Sequence, residues 1–255
     1  MSELLTGYRQ FDTITGGLQQ ADVLTVATSP PCDGVGLALS IALNVASARR
    51  HRVGLFALSL NRHRISQCLL AMRAGILQHQ VRTGQMNAEE RQRVTAAARE
   101  LSTAGLWIDG SGDPKAVELL QRSRQLVETR CISLIVIDDI SLLQSGPLSA
   151  PRDKLPQGTG WVEYYLRTLA RELGVALIAC APLAYHVTSS GCKASQRENP
   201  RNSDRTRSLV HALFLSREES PQKRRTDIFP VFMTQERSGL VTELSLCNRP
   251  GDRFP

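Results

Sequence analysis

Two stretches of this sequence combine residue types that handle phosphate chemistry. The first is Ser29-Pro30-Pro31-Cys32-Asp33-Gly34-Val35-Gly36, placed between an apolar run and a helical pattern. That is the position of a phosphate-binding loop. Such a loop needs glycine flexibility, inward backbone N–H groups, a Lys for the β- and γ-phosphates and a Ser or Thr for Mg²⁺. Here the Lys and the Ser/Thr are both missing, which leaves Gly34 and Gly36. The second stretch is Leu134-Ile135-Val136-Ile137-Asp138-Asp139. An acid after four apolar residues, at a strand tip, is the usual form of the carboxylate that positions Mg²⁺ in nucleotide hydrolases. The alternative is that Asp138 caps the next turn.

A third candidate is charge. Of a net +7, the stretch from Lys193 to Arg225 supplies +5, from nine Lys/Arg and four Asp/Glu. A basic segment that local attracts an anionic polymer, unless it is only a solvated loop. The six cysteines show no C-x-x-C spacing, which argues against a zinc site. Cys131 and Cys180 border apolar runs and are expected to be buried thiols. No metal site is expected from these residues.

The elements that must position these groups follow from patterning. Strands are expected at Asp22–Thr28, Val53–Leu58, Leu106–Asp109, Ile132–Ile137 and Val175–Ala181. Helices are expected at Leu37–Arg49, Arg62–Ala74, Ala88–Ser102, Pro114–Thr129 and Trp161–Leu173. Asn87 with Glu90 reads as a capping box, and Asp113-Pro114 as a cap before an N-terminal proline. Strand–helix alternation with near-continuous apolar strands predicts a mostly parallel sheet covered on both faces. Then Leu209–Leu215, Asp227–Thr234 and Leu240–Cys247 read as consecutive strands, a meander extending the sheet. Ser145–Gly160 and His186–Arg207 read as long loops, which inside a compact domain are usually functional or mobile. With 255 residues, 42% apolar and 22% charged, the chain is ordinary globular material able to bury a full core. No run approaches the length of a membrane span, and residues 1–20 lack the pattern of a signal peptide. The expectation is a cytoplasmic protein with no membrane partner, built as one domain over 1–255.

From about Thr6 to about Cys247 the chain resembles the C-terminal RecA-like ATPase domain of DnaB-type replicative DNA helicases. Thr6-Gly7-Tyr8-Arg9-Gln10-Phe11-Asp12-Thr13-Ile14-Thr15-Gly16-Gly17-Leu18 is similar to that family's lead-in. Val26-Ala27, Pro30 and the run Ala38 to Ala46 fit its phosphate loop and following helix. Val53 to Leu58 resembles its second strand, and Ile135-Val136-Ile137-Asp138 its Walker B strand. Arg82-Thr83-Gly84, Ala104 to Asp109, Leu169 to Leu173 and Gln235-Glu236-Arg237-Ser238-Gly239 keep the register.

The resemblance implies a RecA-like P-loop fold and a role connected with DNA replication. It also shows where this sequence departs from the family. Asp33-Gly34-Val35 stands where the family has Gly-Lys-Thr/Ser, Ser59 where it has the catalytic Glu, and Pro182 where a polar sensor follows the fifth strand. The trans-acting Lys/Arg pair becomes Gln235 and Arg237. Asp138, the Walker B remnant, and Arg237, in the arginine-finger position, are what survive. Asp33 adds repulsion toward a polyphosphate, of order 4 kcal/mol per unit charge at about 4 Å and a dielectric near 20. The expectation is therefore an ATPase-deficient DnaB-like protein that binds DNA, helicase subunits or both, with no cofactor. The alternative is an active ATP-dependent helicase with displaced catalytic residues, using ATP and Mg²⁺. By position in the family, Ser145–Gly160 and His186–Arg207 correspond to DNA-contacting loops. Lys193, Arg197, Arg201, Arg205 and Arg207 would pair with single-stranded DNA phosphates without reading sequence. The N-terminal helical domain and linker helix of the family are not expected here, which weakens the case for a hexamer; a homo-oligomer or a replicative helicase partner remains the expectation.

Overall fold

The computed structural model describes residues 4–28, 34–48, 51–110, 112, 115–143 and 160–182, with the backbone of strands at 211–215, 228–235 and 241–247. Helices are α1 (Arg9–Thr15), α2 (Gly34–Ser47), α3 (Arg62–Ala74), α4 (Gln78–Thr83), α5 (Ala88–Thr103), α6 (Ala116–Arg130) and α7 (Gly160–Leu173). Strands are β1 (Val23–Thr28), β2 (Val53–Ala57), β3 (Leu106–Asp109), β4 (Leu134–Asp138), β5 (Ala176–Pro182), β6 (His211–Leu215), β7 (Ile228–Gln235) and β8 (Val241–Cys247). They form one sheet in the order β3-β2-β4-β5-β1-β6-β7-β8. The first six run parallel, and β7 and β8 follow β6 as antiparallel neighbours. This is the expected parallel sheet with its meander extension.

Strand alternation explains why the central strands read as unbroken apolar runs. In β4, Leu134 and Val136 face a cluster with Leu39, Ile41, Leu55 and Ile65, on the side of α2 and α3. Ile135 and Ile137 face the opposite cluster with Phe56, Leu119, Tyr165 and Leu166, on the side of α6 and α7. Both faces are covered, so neither can be polar. Asp138 follows Ile137 and returns to the α2 side of the strand tip.

The lead-in is a side-chain lock. Asp12 accepts hydrogen bonds from the Thr6 N–H (2.9 Å), the Thr6 hydroxyl (2.8 Å) and the Gly7 N–H (3.0 Å). Asn44 on α2 donates to the Thr6 carbonyl at 2.9 Å, and the Tyr8 hydroxyl donates to Ser40 Oγ at 3.0 Å. Gly7 has φ +82°, and a Cβ there would lie 2.8 Å from Asn44 Cγ. A side chain at this position is excluded by backbone and by neighbour.

Several expectations need correction. The helix expected from Leu37 begins at Gly34, so Gly34 and Val35 belong to its first turn and not to a loop. The helix expected from Pro114 begins at Ala116, with Lys115 at its N-cap, so the proline is not the first helical residue. Cys131, expected to be buried, is exposed at the left-handed C-cap of α6 with φ +52°, whereas Cys180 is buried. Gly160 opens α7 and does not close a loop. The helices α1 and α4 were not expected. The capping box stands as read: Asn87 accepts from the Glu90 N–H and Glu90 from the Asn87 N–H, both at 2.8 Å. The Asn87 N–H, and after it the Gln80 side-chain amide at 3.0 Å, donate to the Glu90 carboxylate and hold it below its usual range.

Candidate functional site

The parallel strands place their C-terminal ends together, where ligands of open α/β sheets bind. Register puts Ala57 beside Asp138 and Thr28 beside Pro182. The tips of β1, β2, β4 and β5 therefore share one edge of the sheet, and the start of α2 lies against it. The buried Cys180 thiol donates to the Gly34 carbonyl at 3.7 Å, which ties β5 to the first turn of α2.

At the centre of that edge sits Asp138, only 2% exposed. Its carboxylate is already engaged. The Ser59 hydroxyl lies 2.9 Å from Oδ1 and 2.8 Å from Oδ2, and the Leu60 N–H donates to Oδ2 at 3.2 Å. The Leu58 N–H donates to the Asp138 carbonyl at 3.1 Å. Burial pushes the carboxyl above its ordinary range, opposed by the hydrogen bonds from Ser59 and Leu60; neighbouring Asp139 pushes the same way as burial. The result is a clasp between the end of β2 and the tip of β4.

Asp138 does not cap the next turn. That task falls to Asp139, whose carboxylate accepts from the Ser141 N–H at 2.9 Å and whose backbone has φ +59°. The 3₁₀ turn Ile140–Leu142 follows it directly.

A nucleotide with Mg²⁺ finds little to hold it in the residues described. Gly34 has no side chain to neutralise phosphate. Val35 is packed against the apolar cluster under α2 and cannot ligate a metal. The single Ser59 hydroxyl proton is shared toward the two Asp138 oxygens, and Ser59 is a poor base at neutral pH. Among the described residues no group of three or more His, Cys, Asp or Glu could hold a metal ion. Ser29, Pro30, Pro31, Cys32 and Asp33 lie outside the described residues, as do Lys193, Arg197, Arg201, Arg205, Arg207 and Arg237. The loops expected at Ser145–Gly160, apart from Gly160, and at His186–Arg207 lie outside them too. Sequence reading saw Ser59 only as a lost base; its bond to Asp138 links positions 79 residues apart and emerges only once β2 and β4 are neighbours.

The profile of the DnaB-like helicase C terminal domain matches residues 3–251. The chain belongs to this DnaB-like family. Two curated relatives are the replicative DNA helicase DnaB of Geobacillus stearothermophilus and the replicative DNA helicase DnaC of Bacillus subtilis (strain 168). Each is 27% identical, over 94% of this chain and 53% of the relative. This DnaB-like chain thus spans about half the length of those relatives. Among solved structures, one isolated ATPase domain superposes with a TM-score of 0.79 at 19% identity, covering 96% of this chain and 88% of that one. A DnaB-like replicative helicase, described with its interactions with primase, gives 0.77 at 20% identity, covering 96% of this chain and 59% of that one. Both show the RecA-like fold: a mostly parallel sheet with helices on its two faces. No helix among the described residues is long and apolar enough to cross a membrane.

Proposed function

We propose that this chain is a DnaB-like helicase domain of DNA replication whose own pocket does not turn over ATP, and which acts by binding single-stranded DNA, helicase subunits or both. We read 1–255 as one such domain. The observation that carries the reading is the engagement of Asp138. A carboxylate held by Ser59 at 2.8 and 2.9 Å is satisfied as a structural tie, and the described residues beside it supply neither a phosphate cation nor a base. The second reading, an active ATP-dependent helicase with displaced catalytic residues, is favoured by the names of the curated relatives, both replicative DNA helicases. Under that reading Arg237, the finger-position arginine, completes a neighbouring subunit's site; under the first it could serve an active partner in the same way. Arg suits either role because its planar, permanently charged fork matches phosphate oxygens.

Single-turnover hydrolysis of ATP with Mg²⁺ separates the readings. The expected result is no phosphate release above buffer, for the chain alone and for the chain mixed with Arg237→Ala chain. Hydrolysis that disappears in Asp138→Ala would establish the enzyme. Adding the protein to an active replicative helicase tests the partner role. A stoichiometric change in that helicase's ATPase rate, altered by Arg237→Ala, supports it, and flat rates at excess protein remove it.

A further inference from the structure

Away from the strand tips just described, the outer edge of the sheet carries a second feature. Among the described strands β3 is an edge, paired with β2 on one side only. Alongside it, facing α6, runs a groove of about 580 Å³ lined by Arg62, Trp107, Ile108, Arg122, Leu126 and Arg130, among others. Among the described residues Asp109 is the single acid in the lining, and it faces Arg122 at 3.8 Å.

The groove is constructed from three elements. Arg122, Leu126 and Arg130 are at i, i+4 and i+8 on α6 and so share one helical face. Their spacing sets the two guanidinium stems about 12 Å apart along the helix axis. Arg62 opens α3, directly after the Asn61 cap. Gly110, at the end of β3, lets the strand approach that point; a Cβ there would lie 3.0 Å from Arg62 Cβ and 3.1 Å from its backbone nitrogen. Trp107 is held between charges: the Arg130 guanidinium lies 5.7 Å from its ring centroid and that of Arg52 lies 6.0 Å away. Arg52 is itself anchored to the Arg130 carbonyl at 2.9 Å.

We infer that this groove docks an extended peptide segment from a partner protein, laid along β3, whose groove-facing side chains, every second residue, are in turn acidic and apolar. Three arginines against one aspartate make the rim cationic, so the occupant is anionic. The floor between the arginines is apolar, formed by Leu126 and the body of Trp107, which pack on the same side of the sheet. A phosphodiester backbone has nothing apolar to offer that floor, and guanidiniums near the Trp107 ring compete with a base for stacking. An extended chain rises about 3.3 Å per residue with alternate side chains on opposite sides. Acids at positions i and i+4 therefore match the spacing of Arg122 and Arg130, with an apolar residue at i+2 on the same side over Leu126 and Trp107. The parallel register turns the backbone groups of Ile108 away from β2, toward the added strand.

The probe is a fluorescein-labelled peptide of three Asp-Ser-Leu-Ser repeats (the Asp-Leu peptide), followed by anisotropy against the full chain, with the same peptide carrying Lys for Asp (the Lys-Leu peptide) and an oligo-dT as comparisons. The expected result is saturable binding of the Asp-Leu peptide alone at the groove, weakened at least tenfold by Arg122→Glu/Arg130→Glu and severalfold by the milder Arg122→Gln/Arg130→Gln. Circular dichroism checks that both variants keep their helix content, and the Gln pair carries the test if the Glu pair unfolds. The proposal is overturned if the Asp-Leu peptide binds no better than Lys-Leu, or if neither variant weakens it. It is also overturned if oligo-dT displaces it from parent chain and loses affinity in the same variants, since the groove then belongs to nucleic acid. None of these outcomes depends on ATP turnover, so failure here leaves the proposed function standing.

Discussion

A buried carboxylate at a strand tip is costly unless its oxygens are satisfied, and the partners chosen decide what it can do. For Asp138 those partners are protein groups, Ser59 and Leu60, and burial still raises its pKa above the ordinary 3.8. The sign for stability follows. Above 3.8 the unfolded chain has released this proton while the folded chain still holds it. The group's favourable contribution is thus fully present below 3.8 and is lost as pH rises through the folded pKa. Carboxyl NMR titration is expected to place Asp138 above the reference value. Ser59→Ala is expected to move it higher still, because a bond that favours the ionised form is gone. Titration of Asp138 at or below the reference value would show that its hydrogen bonds outweigh its burial. The acid itself was legible in the sequence, since four apolar residues followed by Asp mark a strand tip. Its partner was not, because a serine gains meaning only from the strand beside it. The positions read as a loop through Val35 were misjudged for a related reason: the helix starts as soon as the backbone allows, and Gly34 carries no signal of which side of that boundary it is on.

Among the elements, long periodic helices and apolar strands were readable, and short pieces held by side-chain bonds were not. α1 has seven residues and α4 six, too short to show periodicity or to persist alone. α1 ends on Gly16 in the left-handed region, and the Asp12 bonds to Thr6 and Gly7 fix the chain leading into it. The lock makes a sharp expectation. Gly7→Ala places a Cβ both at positive φ and against Asn44, at a cost of about 1–3 kcal/mol for the backbone alone. Urea unfolding should show a lower midpoint with an unchanged slope. An unchanged midpoint in this variant would mean the lead-in does not pack on α2 in solution. The helix expected from Pro114 failed for a different reason. Asp-Pro is a good start signal, but the helix begins at Ala116 after a Lys115 N-cap that uses no side-chain bond, with Ala116 and Leu119 buried in the core.

At the scale of the whole molecule, the charge is uneven. The +5 carried between Lys193 and Arg225 leaves the remainder of the chain close to neutral. If that stretch meets DNA, affinity should fall steeply with salt through counterion release. Replacing Arg201, Arg205 and Arg207 by Ala is expected to weaken binding to a single-stranded oligonucleotide and to flatten the slope of log K against log salt by about 0.7 per lost phosphate contact. Parent-like binding by the triple variant would assign the arginines to solvent.

The strand order also governs how the chain is made. β1 leaves the ribosome before the other described strands of its sheet, yet both its neighbours come late: Val23 pairs with Leu177 in β5, and Leu24 with His211 in β6. At roughly 5–20 residues per second, β1 waits on the order of 10–30 s for its first hydrogen-bonded neighbour. During that interval an apolar strand has two open edges, the condition under which nascent chains pair with the wrong partner. β2, β3 and β4 assemble with one another in the meantime, and β5 then closes the gap between them and β1. Translation that stalls before β5 therefore leaves a half-sheet and an orphan strand, a species for chaperones or proteases and not a smaller working domain.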